Sequence, residues 1–322
     1  MGALRIWAMA ARPRTLPAAL APVVVGSAAA WHALQEGAGV FRDVSQTVVG
    51  EPASASIVVA SGTDEFRWLA FAAALLGAIF IQIGTNLAND YSDAKRGADT
   101  VDRLGPVRVT ASGLAAPRRV LVATALAFAL ATLCGLYLAF AVGPVLIAVG
   151  LVSIAAGILY TGGPRPYGYE GLGELFVFVF FGLVAVNGSY YVQLEEIDLA
   201  PLMLSIPIGL LSAAILVVNN VRDIDTDRRA GKRTLAVRLG RERTRSLYLA
   251  MIVLSYLTLP LVLLAGTEWA PALLALASAP VALKPIRAVR ERTDGPSLNG
   301  ALADTGALLG IFALLVAIPL AI

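Results

Sequence analysis

The apolar positions of this chain fall in long uninterrupted runs, with neither the two-residue alternation of a half-buried strand nor the narrow stripe of a soluble surface helix. About 20 such residues make a helix long enough to cross the roughly 30 Å hydrocarbon layer of a bilayer. Runs of this kind cover about 15–33, 68–88, 119–139, 143–160, 172–192, 200–219, 246–265, 270–286 and 301–321. They predict an all-α polytopic membrane protein of nine transmembrane helices, forming one integral-membrane domain over 1–322. Segment 34–67 is the one long irregular stretch, with five acids against two bases, and reads as an external loop insertion. The alternation in Ser56-Ile57-Val58-Val59-Ala60 would allow a small hairpin there, and no chemistry is assigned to it.

Composition and charge sharpen this picture. A chain that is 58% hydrophobic and 15% charged, with a mean hydropathy of +0.76, cannot bury its apolar surface in a soluble core, so the bilayer is its solvent. Of 25 Lys and Arg residues, 23 fall in alternate connections and only Arg42 and Arg67 fall opposite. The positive-inside rule therefore predicts a cytoplasmic N-terminus, an external C-terminus and a cell-membrane location. The first run lacks the flanking pattern of a cleaved secretory signal and is expected to be retained. Cys134 is the single cysteine, which excludes an internal disulfide and a cysteine-based zinc site, and the lone His32 receives no role. No nucleic-acid partner is expected.

The polar residues that end two of the runs carry the chemistry. Asn86, Asn89, Asp90, Asp93 and Asp99 form one cluster; Asn219, Asn220, Asp223 and Asp227 form another, and both face the predicted cytoplasmic side. Asn89 precedes Asp93 by four residues and Asn219 precedes Asp223 by four, one helical turn in each case. Like charges stacked along one helix face repel unless a cation lies between them. Oxygen donors without histidine or cysteine favour Mg²⁺, with Mn²⁺ as a substitute. Bases follow each cluster: Lys95, Arg96, Arg103 and Arg108 after the first, and Arg222, Arg228, Lys232 and Arg233 in and after the second. Carboxylates, a divalent ion and bases together point to a diphosphate. Topology alone accounts for Arg118, Arg119, Arg241, Arg243, Arg245 and Arg287, whereas Arg222 and Lys232 are embedded in the acidic motif. Asp225 and Arg229 fall on the other side of their helix.

These residues carry a family resemblance. Asn86-Leu-Ala-Asn-Asp-Tyr-Ser-Asp93 with Gly97-Ala-Asp99, and Asn219-Asn-Val-Arg-Asp-Ile-Asp-Thr-Asp227 with Ala230-Gly-Lys-Arg-Thr-Leu235, resemble the UbiA superfamily of intramembrane prenyltransferases. Ala11-Arg-Pro-Arg-Thr-Leu-Pro17 and Tyr160-Thr-Gly-Gly-Pro164 are similar to segments of those that act on 1,4-dihydroxy-2-naphthoate in menaquinone synthesis. Nearly the whole chain is covered; segment 34–67 departs from the compact pattern.

The resemblance implies a nine-helix bundle that binds Mg²⁺ and a polyprenyl diphosphate. It implies prenyl transfer to the ring carbon bearing the naphthoate carboxyl group, with loss of CO2 and diphosphate, toward demethylmenaquinone. On the same ground Asn89, Asp90, Asp93, Asp99, Asp223 and Asp227 are the expected metal residues, with Asp93, Asp223 and Asp227 catalytic. Asn86, Asn89, Asn219 and Asn220 are expected at the substrate, Lys95, Arg103, Arg222 and Lys232 at its diphosphate, and Tyr160 and Arg165 beside the aromatic acceptor. Tyr160 also fits an interfacial aromatic. Two alternatives remain open from sequence: another acceptor such as 4-hydroxybenzoate or haem, and a cation-coupled transporter with acids near helix breaks.

Overall fold

The computed structural model describes residues 2–37, 65–98 and 104–322, and every element among them is helical. Most of segment 34–67 lies outside the described residues, as do Asp99 and Arg103. The helices are α1 (Ala3–Ala11), α2 (Leu16–Gln35), α3 (Trp68–Lys95), α4 (Pro117–Ala141), α5 (Val145–Leu159), α6 (Gly173–Val177), α7 (Ala185–Leu194), α8 (Leu199–Arg229), α9 (Leu235–Leu239), α10 (Arg241–Thr258), α11 (Ala279–Glu291) and α12 (Gly295–Ala321). A π-helical segment, Phe178–Val184, joins α6 to α7 in one rod; 3-10 segments Leu259–Leu264 and Thr267–Ser278 extend α10 and precede α11.

Each of the nine expected spans coincides with a helical segment, but among the described residues eight are long and apolar enough to cross a membrane. The exception is α5, whose 15 residues rise only about 22 Å. It nevertheless leads from the far end of the bundle, where Leu146 packs with Ala70, Leu138 and Val192, back to the end carrying Asn89, whose Oδ1 accepts a bond from Thr161. The chain is an integral membrane protein by its helices, and its Leu- and Val-rich outward faces are exposed, as lipid-facing surfaces are.

Helix α8 lies at the centre, buried against α2, α7, α10 and α12 in a core built from Val25, Tyr190, Ile208, Leu211, Val218, Tyr248 and Phe312. Close approach there depends on small residues, as expected where lipid supplies no hydrophobic drive between helices. A Cβ on Gly182 would sit 2.7 Å from the Cα of Gly209, so α8 and the π-helical segment meet backbone to backbone.

The first span carries an extra element. Arg12 adopts a left-handed conformation (φ 54) before Pro13, which has no N–H to continue a ladder, so α1 ends there and α2 starts afresh. Ile6, Trp7 and Met9 of α1 pack against Leu87, Val109 and Val120, laying α1 across the end of the bundle where the first acidic cluster sits.

Candidate active site

The last turns of α3 present the first cluster, and packing gives its members separate tasks. Asn86 donates to the Ala11 carbonyl at 3.0 Å and to Thr15 at 3.2 Å, tying the α1–α2 break to α3. Asn89 accepts from Thr161 at 2.8 Å. Asp90 accepts the backbone N–H groups of Val109 at 3.1 Å and Thr110 at 2.9 Å, so its carboxylate pins the connection to α4. Asp93 receives Tyr169 Oη at 2.6 Å on one oxygen; Arg108 at 3.1 Å and Lys232 at 3.3 Å reach the other. Only 1% of Asp93 is exposed, and a carboxylate so buried is held by this set of donors.

The second cluster lies at the end of α8, where spacing of three and four residues places Asn219, Asn220, Asp223 and Asp227 along one cavity-facing side. Arg222 turns away from that side. Its guanidinium meets both oxygens of Asp223, at 2.9 and 2.6 Å, and also reaches Asn219 and, across to α12, Asn299 at 2.7 Å each. Asn299 in turn donates to the Leu104 carbonyl at 3.0 Å, joining the second cluster to the connection that follows the first. The side-chain amide of Asn220 donates to Glu174 at 2.8 Å.

Lys232 joins the clusters. Its ammonium lies 3.3 Å from Asp93 and 3.9 Å from Asp227, with the Tyr169 ring centre 4.8 Å away. The backbone places it: Lys232 N–H closes the turn onto the Asp227 carbonyl, and Arg233 N–H bonds the Tyr169 carbonyl. Arg96 donates to the Gly163 carbonyl and covers the other approach to Tyr169.

A cavity of about 390 Å³ opens from this junction into the bundle. Asn86, Asn89, Asp93, Arg108, Tyr160, Asn219, Asn220, Asp223, Asp227 and Lys232 line its polar end. Away from them the walls become Ala73, Gly77 and Ile81 of α3, Leu138 of α4, Ile147 and Ile154 of α5, and Val184 and Val192 of the π–α7 rod. Between the two regions runs an aromatic wall, with Tyr167 stacked on Phe176 at 3.9 Å between ring centres and Tyr160 edge-on to Tyr167 at 5.5 Å. Burial pushes the Tyr167 phenol up, and its hydroxyl donates to the Ala156 carbonyl at 2.9 Å.

Several expected site residues stand elsewhere. Lys95 and Arg165 are exposed and do not line the cavity. Arg222 does not line it either, because its donors are spent on Asp223, Asn219 and Asn299. Conversely, Tyr169, Glu174 and Asn299 escaped the sequence reading, since each reaches the clusters from a distant segment without any periodic signal, and Thr161 stood only inside the Tyr160–Pro164 segment with no role assigned. Arg108 was visible there only as one of several bases after the first cluster.

Among the described residues no three acidic, histidine or cysteine side chains gather as a closed metal cage. The two clusters offer instead a few carboxylates and amide carbonyls, with room for water and substrate oxygens, the hard and open donor set that suits Mg²⁺. A cation already stands between them in the form of the Lys232 ammonium. The residues therefore fit a divalent ion completed by its substrate.

Buried acids and bases meeting at one end of an apolar cavity, inside a membrane bundle, mark the candidate active site of this membrane protein. The chain belongs to the UbiA prenyltransferase family, whose profile matches residues 52–302. A Mycobacterium tuberculosis protein named 1,4-dihydroxy-2-naphthoate octaprenyltransferase is 45% identical over 323 residues, covering 100% of this chain and 98% of its own. The Escherichia coli protein of the same name is 35% identical over 311 residues, covering 94% of this chain and 91% of its own. The fold is similar to that of a UbiA homolog from Archaeoglobus fulgidus solved with GPP and Mg²⁺, with a TM-score of 0.58 at 15% identity, covering 97% of this chain and 99% of that one.

Proposed function

We propose that this protein transfers a polyprenyl group from an allylic diphosphate to 1,4-dihydroxy-2-naphthoate, for menaquinone synthesis. The observation that carries the reading is the cavity: charged clusters bridged by Lys232 at one end, and apolar walls along the rest. That polarity matches a diphosphate head with a hydrocarbon tail, and the names borne by the mycobacterial and E. coli relatives support the naphthoate acceptor. The alternatives of another aromatic acceptor and of a transporter have no comparable support.

Asn89, Asp93, Asp223 and Asp227 would hold Mg²⁺, together with Asp99. When bound, the ion would offset the negative charge developing on the departing diphosphate. Lys232 and Arg108, already at the carboxylates, are placed to share that charge; Arg222 orients Asp223, and Asp90 holds the connection that delivers Arg108. The apolar walls keep water from the allylic cation, and the aromatic wall offers it π faces and offers the naphthoate ring a stacking surface. The new carbon–carbon bond forms at the ring carbon bearing the carboxylate. Loss of CO2 leaves its bonding pair in the ring, so aromaticity returns without removal of a ring proton, and the quinol form of demethylmenaquinone results. The single domain lies in the cell membrane with the site toward the cytoplasm, N-terminus inside and C-terminus outside, as the 23-to-2 division of basic residues supports.

The test is product analysis. Purified protein in detergent, given Mg²⁺, a polyprenyl diphosphate and either 1,4-dihydroxy-2-naphthoate or 4-hydroxybenzoate, is expected to yield prenylated naphthoquinol with loss of CO2. Prenylated hydroxybenzoate alone would overturn the acceptor, and product from neither would overturn the reading.

A further inference from the structure

Glu174 is a buried acid that the reaction, as described, does not use. It sits in the first turn of α6, 4% exposed, and does not line the cavity. One oxygen accepts the Asn220 amide at 2.8 Å, while the other, Oε2, is buried with no hydrogen-bond partner. Burying an acid with an unsatisfied oxygen costs free energy, and a glutamine there would bury an unpartnered amide group instead. The difference between the two lies in what each offers Asn220. A carboxylate only accepts, so it admits one orientation of Asn220, whereas a glutamine presents a donor and an acceptor and leaves both orientations open.

We propose that Glu174 is a positioning residue that locks Asn220 with its carbonyl oxygen toward the cavity, adding a third oxygen donor to the face carrying Asp223 and Asp227. Asn220 lies three and seven residues before those acids on α8 and lines the cavity with them. Its neighbour Asn219 is less suited to this part, since its Oδ1 accepts from the Arg222 guanidinium, whose positive charge opposes a second cation there. The α6 terminus suits the acid, because the peptide dipoles at a helix start favour negative charge. The inference rests on the donor-site reading above.

The experiment titrates Mn²⁺ into the purified full-length protein, followed by electron paramagnetic resonance, with thermal midpoints recorded alongside. Glu174→Ala is expected to weaken Mn²⁺ binding about tenfold, the scale for residues that orient metal ligands. Asn220→Ala is expected to match it, and the double variant to be no weaker than Asn220→Ala alone. Glu174→Gln, isosteric and able to fold if the alanine variant is not, is expected to bind Mn²⁺ more weakly than the unaltered protein but less weakly than Glu174→Ala, as the fixed orientation is relaxed. Unchanged affinity in Glu174→Gln, or losses that multiply in the double variant, would overturn the proposal. Asp227→Asn separates the two readings: undiminished Mn²⁺ binding there sinks the donor site itself, while loss there with none in the Glu174 variants sinks only the inference.

Discussion

Asp93 collects partners from three segments of the chain: Tyr169, Arg108 and Lys232. Removing its charge leaves two buried cations facing a neutral amide, so Asp93→Asn is expected to cut turnover at least a hundredfold while the protein still inserts and extracts normally. Tyr169→Phe removes one hydrogen bond to a charged group and keeps both cations, for which roughly a tenfold loss follows. Near-wild-type kinetics for Asp93→Asn would contradict the assignment. Arg222 works differently. Its charge is spent inside the protein, and Arg222→Leu removes the two-pronged guanidinium contact from buried Asp223 at a cost of about 3–5 kcal/mol, read as a lowered thermal midpoint in detergent. Sequence spacing exposed the acids because a helix turn repeats every four residues. It could not tell a base that meets substrate from one that meets its own neighbour, since Arg222 and Lys232 stand in equally acidic company.

At the level of elements, the connection between α3 and α4 shows how loop and helix share one site. Its described part, from Leu104, is fastened at three places: Asp90 takes two of its N–H groups, Asn299 donates to the Leu104 carbonyl, and Arg108 reaches Asp93. Asp90→Ala is expected to free two backbone donors and let Arg108 wander. Amide exchange should rise over 104–116 and the KM for the diphosphate substrate should increase several-fold, with kcat less affected. Exchange equal to wild type would show that the carboxylate does not hold the strand of chain it touches. Hydrophobic runs disclosed α2 and α4 nearly to their ends, but of α3, α8 and α12 only the parts that cross the bilayer, because the last turns of α3 and α8 and the first turns of α12 lie outside the hydrocarbon and carry polar residues. They missed α1, which is amphipathic and lies against α3, and they missed the π-helical segment, because a backbone register change leaves no mark on hydropathy.

For the whole molecule, the division of basic residues and the position of both clusters bear on one another. Helices α3 and α8 must end at the same face for Lys232 to reach Asp93 and Asp227, and the bases that follow each helix gather at that face. The shared parity of α3 and α8 was therefore legible from the bases that follow them, whereas the cavity between α3, α4, α5 and α7 was not, because its lining residues look like any other apolar ones. The same parity makes a measurement that joins metal to sidedness. EDTA does not cross a bilayer, so in sealed vesicles with the cytoplasmic face outward, external EDTA should stop prenyl transfer and excess Mg²⁺ or Mn²⁺ should restore it. Vesicles of the opposite orientation, loaded with Mg²⁺ and acceptor, should continue to form product under the same external chelator. Inhibition only in the second orientation would reverse the topology and keep the metal, whereas activity indifferent to EDTA on both faces would remove the metal from the reaction, leaving Lys232 and Arg108 to carry the charge of the departing diphosphate alone.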